Sequence, residues 1–408
     1  MEILVAGGGI AGLAFALALH RRGLSCRVFE SAPEMRSLGV GITLLPHAMR
    51  ELAALGLEEA LRAAAIENRE SLFFTRHGQL VFREPRGKFA GYEHPELGIH
   101  RGKLHAILYS AVLERLPAGS VLLDHRCASV AQDDTGVELS FLKGSNGAGM
   151  PPARGDVVIA CDGVNSAIRR QFYPREKLAF TGINTWRGVT RSKPIFDGRS
   201  YLRIGTVDTG KIVIYPIADR VDAEGRQLIN WTTEKRQPGE PMNDWNKPGR
   251  AEDFLSIYED WRFDFLDVPR LIRDADMVFE YPMVDKDPVD RWTFGRVTFM
   301  GDAAHPMYPR GSNGAAQALI DARTLADLLA ARRDPREALA EYEKARLEAT
   351  SRVVRTNREQ PPDFILMKVE ELTGGKRFGH IDDVISQDEL RALSESYKKV
   401  AGFSLRGG

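Results

Sequence analysis

Three stretches of this chain combine glycine with residues able to meet a ligand. The first, Gly7-Gly8-Gly9-Ile10-Ala11-Gly12, fits G-x-G-x-x-G with Gly7, Gly9 and Gly12 in the fixed positions. The first glycine permits a tight turn, the second lets backbone approach a pyrophosphate, and the third lets a helix pack on its strand. Ile10 and Ala11 open that helix, whose free N–H groups and partial positive charge suit a phosphate. Glu30 ends the next strand, 18 residues after Gly12, where it can accept ribose hydroxyls. The pattern alone does not choose between FAD and NAD, and a glycine-rich turn without ligand is the plain alternative.

The second stretch is an apolar run, 157–160, ending in Cys161-Asp162-Gly163 and followed by Asn165-Ser166 and Arg169-Arg170. Asp-Gly is also a common turn dipeptide. The third runs from strand 297–300 through Gly301-Asp302-Ala303-Ala304-His305-Pro306 to Gly311-Ser312-Asn313-Gly314, which opens an Ala-rich helix. Asp302 beside glycine can hold a polyol hydroxyl. The N–H groups near 312–314 can stabilise negative charge on a ligand ring.

These motifs need a sheet and helices to hold them. Residues 3–6, 10–22 and 25–30 read as strand, small-residue helix and strand, the βαβ unit of a nucleotide-binding sheet. Residues 46–65 and 102–116 read as helices, 71–98 as an inserted hairpin, and 143–155 as an exposed loop. Residues 178–284 hold many short strands with aromatic content and a polar loop at 235–250. Helices are expected at 314–332 and 335–358, and Pro361-Pro362 breaks the second.

Composition bounds the function. The 408 residues include 56 Lys plus Arg and 56 Asp plus Glu, so formal net charge is zero. That balance argues against nucleic acid or an anionic membrane surface as partner. A 43% hydrophobic and 27% charged composition excludes a mainly disordered chain. Cys26, Cys127 and Cys161 are too scattered for a zinc or redox pair, so no metal site is expected. The apolar stretch 10–19 is about half of a bilayer span. No leader segment is evident, and a cytoplasmic protein without a membrane span is expected.

Together the three motifs resemble the FAD-dependent aromatic-ring hydroxylases, the single-component flavoprotein monooxygenases related to p-hydroxybenzoate and salicylate hydroxylases, and most of all their phenazine-hydroxylating members. The resemblance covers roughly residues 1–358. It is carried also by Leu38-Gly39-Val40-Gly41-Ile42, Ile99-His100-Arg101-Gly102, Trp186-Arg187-Gly188-Val189-Thr190, Asp244-Trp245-Asn246, Tyr281-Pro282-Met283-Val284-Asp285 and Asn313-Gly314-Ala315. It implies an α/β (α+β) fold. A Rossmann-like FAD-binding domain (1–70, 99–175 and 285–345) is interleaved with a sheet-rich substrate domain (71–98 and 176–284). A helical C-terminal region (346–408) follows.

The resemblance also implies roles. Glu30 would bind the adenosine ribose, Arg101 the pyrophosphate and Asp302 the ribityl chain. Gly41 and Ile42 would contact FAD, and Gly301 would accompany Asp302. Gly311, Asn313 and Gly314 would lie under the flavin pyrimidine. Asp162-Gly163 would serve FAD and a transient NADH or NADPH. The implied reaction uses NAD(P)H and O2: oxygen adds at the flavin C4a position and passes to an electron-rich ring carbon of a phenazine-, pyridine- or salicylate-like substrate. The chain departs from the family in Ser312-Asn313-Gly314, where Gly-Gln-Gly is usual, in His47, where many relatives carry Asn, and in Arg310 before the flavin turn.

A base near the ring would help a phenolic substrate. Tyr215, His47 and His305 are candidates, each with core packing as the plain alternative. Arg310 first, then Arg187 and Arg203, can pair with a substrate carboxylate. Trp186 and Trp231 can wall an apolar pocket or fill the core. A monomer or homodimer is expected. The rivals are a flavin reductase or dehydrogenase on the same scaffold, a non-enzymatic FAD redox sensor, and an NAD-dependent dehydrogenase. A halogenase lacks support because Trp-x-Trp-x-Ile is absent.

Overall fold

A computed structural model describes residues 1–35, 39–237 and 247–405. Leu38, Asp244-Trp245-Asn246 and most of the polar loop at 235–250 lie outside the described residues. The centre is a five-stranded sheet ordered Val297–Phe299, Val157–Ala160, Ile3–Ala6, Cys26–Phe29 and Val121–Leu122, parallel throughout. Ile3–Ala6 and Val157–Ala160 are buried along their whole length, which explains their unbroken apolar runs. Ala6 pairs with Ala160, and Ala160 pairs with Phe299. That register brings Gly7, Cys161-Asp162 and Gly301-Asp302 to one carboxyl edge, where ligands of parallel α/β sheets bind.

Helix Ile10–His20 is buried on nearly all sides, between the sheet and helix Gly314–Ala331. A Cβ on Gly301 would lie 3.0 Å from Ala11 Cβ and 3.4 Å from Ala318 Cβ, so the two helices converge at that glycine.

A seven-stranded sheet runs Ala275–Asp285, Ala179–Ser192, Gln227–Arg236, Gly210–Ala218, Ser200–Thr206, Glu70–Phe74 and Leu80–Pro85. Its strands reach 14 residues, longer than the many short strands expected. Alternation gives it two distinct faces. Leu202, Ile204, Ile212, Ile214, Trp186 and Trp231 pack under the turns and helix of 251–273. Tyr201, Val213, Tyr215 and Ile217 form a cluster on the opposite face. That second face meets the nucleotide-binding unit: a Cβ on Gly98 would lie 2.3 Å from Pro216 O, and one on Gly41 would lie 2.7 Å from Asn230.

The loop expected over 143–155 is largely strand. Gly149–Gly155 pairs antiparallel with Val137–Lys143, leaving only a short turn. Its prolines are tolerated because the strand is at the sheet edge, where missing N–H groups break no ladder. Helix Pro335–Glu359 runs through the boundary expected at 345/346. Helices Phe364–Thr373 and Gln387–Ala401 follow, the second opened by a Ser386/Glu389 capping box.

Candidate active site

The glycine loop is built as its spacing predicts. Gly7 has φ +106°, and a Cβ there would meet Cys161 O at 2.4 Å. A Cβ on Gly12 would meet Gly7 O at 2.0 Å, whereas one on Gly9 meets nothing within 4 Å. Gly9 therefore borders open space in front of helix Ile10–His20. That helix has no side-chain cap and no acidic residue in its first turn, so its N–H groups are available to an anion. Glu30 accepts from Gly8 N (2.8 Å), Ala32 N (2.8 Å) and Ser31 Oγ (3.0 Å). A carboxylate has about four lone-pair sites, so acceptor capacity remains for hydroxyls. His105, unremarkable in sequence, donates to Gly8 O at 2.7 Å and braces the loop.

Asp302 follows Gly301 (φ +61°) and is accessible, yet the surrounding protein strips enough solvent to raise its carboxyl above the ordinary range. His305 and the exposed Arg101 at the start of helix Arg101–Arg115 pull it the other way. An accessible but enclosed carboxylate suits a polyol. Asp162 is engaged locally instead. Its Oδ2 accepts from Ala167 N (2.8 Å) and caps helix Ala167–Phe172 beside Ser166. Burial raises its pKa. Gly163 takes φ +78° with nothing near its would-be Cβ. Arg169 ties the second motif to the third, donating to Ala303 O (2.9 Å) and Ala304 O (2.6 Å) while paired with Glu176.

His305 is engaged within the fold. Its Nε2 donates to Asp321 Oδ2 (2.5 Å), and Arg346 Nε donates to Asp321 Oδ1 (2.7 Å), all three side chains buried. Burial would raise Asp321, but His305 and Arg346 hold it at about 2. His305, expected as a candidate base, is instead tied into a buried hydrogen-bonded group with Asp321 and Arg346.

The turn before helix Gly314–Ala331 has two successive left-handed residues, Gly311 (φ +86°) and Ser312 (φ +57°), then right-handed Asn313. Such successions turn neighbouring N–H groups to one side and make anion-binding concavities. This helix also lacks a side-chain cap and first-turn acid. His47 donates from Nε2 to Asn313 Oδ1 (3.2 Å) and stacks on Phe403 at 4.8 Å. Burial pushes its pKa down to about 3, only partly opposed by the Asn313 hydrogen bond, so it is neutral and a weak base.

On the inner face of the larger sheet, Tyr215 stacks on Tyr201 at 4.9 Å and 5°. Burial, then Tyr201, push its phenol well above its ordinary pKa, with Arg187 and Thr43 pulling back. Arg187 lies over Tyr281 (5.1 Å) and donates to Thr232 Oγ1 (3.3 Å). Arg203 is 5% exposed, lies 4.4 Å from the Tyr201 ring and 4.9 Å from the Phe73 ring, and bonds Ser71 Oγ. It has no carboxylate partner among the described residues.

Arg310 is a correction. Its Nη2 donates to buried Asp363 (2.6 Å), which also pairs with Lys211 (3.2 Å), itself paired with Glu234 (2.9 Å). Two cations and two anions neutralise one another, leaving no cation for a ligand. Trp186 and Trp231 lie in the outer-face core, Trp186 stacked on Phe254 at 4.7 Å, on the opposite side of the sheet from Tyr215. Gly41 N donates to Asn230 Oδ1 (2.7 Å), and a Cβ there would lie 2.7 Å from Asn230 Cβ, so the close approach of the neighbouring sheet favours glycine. Ile42, on the same strand, packs partly buried against the main core. Sequence pattern gave no sign of Asn230, Asp321 and Tyr397, because only tertiary contact marks them.

The profile of the FAD binding domain family matches residues 1–245 and 275–357. Phenazine 1,6-dicarboxylic acid hydroxylase of Lysobacter antibioticus is 40% identical over 364 residues, 88% of this chain and 89% of that protein. 3-Amino-4-hydroxybenzoate 2-monooxygenase of Streptomyces cremeus is 34% identical over 383 residues, 91% and 90% of the two chains. The fold matches Klebsiella pneumoniae HpxO, crystallised with FAD and uric acid, with a TM-score of 0.78 and 22% identity over 100% of this chain and 98% of that one.

Proposed function

We propose, from the premise that this chain belongs to the FAD binding domain family and is an FAD-dependent monooxygenase, that it hydroxylates a carboxylated aromatic or N-heteroaromatic ring. NADH or NADPH is the reductant and O2 the oxidant. Bound FAD supplies electron transfer and oxygen activation. The chain's own residues bind, orient and exclude water. In this reading Gly7, Gly9, Ile10, Ala11 and Gly12 receive the pyrophosphate with Arg101. Glu30 takes the ribose, Asp302 with Gly301 the ribityl chain, and Gly311, Asn313 and Gly314 the pyrimidine edge. Ile42 flanks the ring, and Asp162-Gly163 borders the nicotinamide path.

The observation that carries the substrate class is the unpaired, buried Arg203. A buried guanidinium without a carboxylate is costly unless a ligand completes it. Its planar fork matches a carboxylate bidentately. Arg187, a second cation on the same face without a carboxylate partner among the described residues, adds to the attraction. The substrates named for two relatives are a phenazine dicarboxylic acid and an aminohydroxybenzoate, both carboxylated rings, which supports the same class. Tyr215, kept protonated, acts as a hydrogen-bond donor to a ring hydroxyl or ring nitrogen. Neither it nor neutral His47 is a resting base near pH 7, so amino or hydroxyl substituents of the ring supply the electron density for attack. A cytoplasmic setting, where NAD(P)H is available, suits three cysteines that are buried free thiols.

Paired rings with and without the carboxylate test this reading. The carboxylated member should stimulate NAD(P)H oxidation and gain one oxygen atom at much lower concentration. Equal stimulation by both overturns the assignment of substrate class.

A further inference from the structure

Asn313 is the N-cap residue of helix Gly314–Ala331, yet its side chain caps nothing. Asparagine there ordinarily accepts from an N–H of the first turn. Here Nδ2 donates to Tyr397 Oη (2.8 Å) and Gly311 O (3.1 Å), while Oδ1 accepts from His47. Tyr397 in turn donates to Asn357 Oδ1 (2.8 Å). A Cβ on Gly311 would fall 1.8 Å from Tyr397 Oη, so the glycine is needed for the tyrosine to enter. The ring of Tyr397 packs with Leu45, Ala401 and Phe403, and Gln317 Nε2 donates to Ala401 O at 3.2 Å.

We infer that Tyr397 is a positioning residue for the cofactor turn: by holding the Asn313 side chain off its own helix terminus, it keeps the first N–H groups of helix Gly314–Ala331 free for the flavin. The inference rests on the reading that the 311–314 turn meets the flavin. Without the tyrosine hydroxyl, the Asn313 side chain loses the shorter of its two Nδ2 bonds and keeps only those to Gly311 O and His47, so it folds back more readily to cap its own helix. The N–H groups would then be taken by the chain itself, and negative charge on the flavin would lose stabilisation. Helix Gln387–Ala401, which carries Tyr397, is anchored elsewhere by Ser394 and Lys398 on Glu84 (2.6 and 2.9 Å), away from the turn.

The test compares Tyr397→Phe, Asn313→Ala, the double variant and Ser394→Ala in the full chain. Apoprotein is titrated with FAD by fluorescence, and the midpoint potential of the bound flavin is measured by dye equilibration. Tyr397→Phe should weaken FAD by about three- to tenfold, the scale of one hydrogen bond, and shift the potential negative. The double variant should match Asn313→Ala, because no side chain is left to fold back. Ser394→Ala should leave the potential unchanged. Wild-type affinity and potential in Tyr397→Phe overturn the inference. So do the same shift in Ser394→Ala, or independent losses in the double variant. Asn313→Ala, which leaves nothing to fold back, should keep wild-type affinity and potential. If a further variant, Asn313→Asp, which puts a carboxylate in the turn, changes neither quantity, the placement of the turn at the flavin fails as well.

Discussion

Arg203 and Arg310 carry the same group and are both buried, yet only Arg310 has carboxylate partners among the described residues. Arg310 sits in a neutral quartet with Lys211, Glu234 and Asp363. Removing it strands Asp363, so Arg310→Met should destabilise the protein by about 3–5 kcal/mol in denaturant titrations, the cost of breaking a buried pair. It should not act selectively on the Michaelis constant of acidic substrates. Arg203→Gln should raise that constant about 10- to 100-fold, the loss of a charge-assisted hydrogen bond, with FAD content unchanged and carboxylate-free rings unaffected. Residue type made both arginines candidates in the sequence. Which one lacked a partner was not legible, because Asp363 is 53 residues from Arg310 in the chain.

The same scale gives a pH signature. His47 has a folded pKa of about 3 against an ordinary 6.5. As pH falls below about 6.5 the unfolded chain takes up a proton that the native chain refuses, so stability falls until about pH 3. Asp321, held at about 2 against 3.8, adds a further loss over the lower window. His47→Gln should flatten the decline of chemical stability between about pH 6 and 4. An unchanged slope there contradicts the burial of a neutral imidazole.

At the scale of elements, the second and third glycines of the first motif should separate folding from binding. Gly12→Ala puts a methyl 2.0 Å from Gly7 O, so it should disrupt the strand–helix packing and lower thermal stability. Gly9→Ala meets nothing in the chain itself, so the protein should fold normally and lose FAD. Equal thermal stability of both variants would contradict the loop geometry. The strand–turn–helix units around residues 7, 161 and 301 were readable because local pattern specifies them: apolar runs, then glycine, then a small-residue helix. Strand Gly149–Gly155 was not, since its prolines and glycines signal a loop, and only its place at a sheet edge makes them tolerable.

At the scale of the molecule, the three motifs become one site because three distant strands are adjacent in a parallel sheet. Sequence spacing pointed to each motif separately, and only family resemblance joined them. The larger sheet packs on strands Gly41–Leu44 and Leu97–His100 through contacts such as Gly41 with Asn230 and Gly98 with Pro216. Helix Gln387–Ala401 ties both parts together, reaching Asn313 through Tyr397 and Glu84 through Lys398. None of those long-range pairings has a local signature. Among the described residues, no helix is long and apolar enough to cross a membrane, and no acidic, His or Cys cluster forms a metal site.

The proposed oxygen transfer from a flavin to a carboxylated ring is the claim on which the site assignments depend. The most direct measurement supplies the FAD-loaded protein with NAD(P)H, a carboxylated N-heteroaromatic or aromatic panel and isotopically labelled O2, and follows the mass of the ring product. One labelled oxygen atom per product, formed as NAD(P)H is consumed, is the predicted result. Consumption of NAD(P)H with no labelled ring from any member of the panel would contradict it.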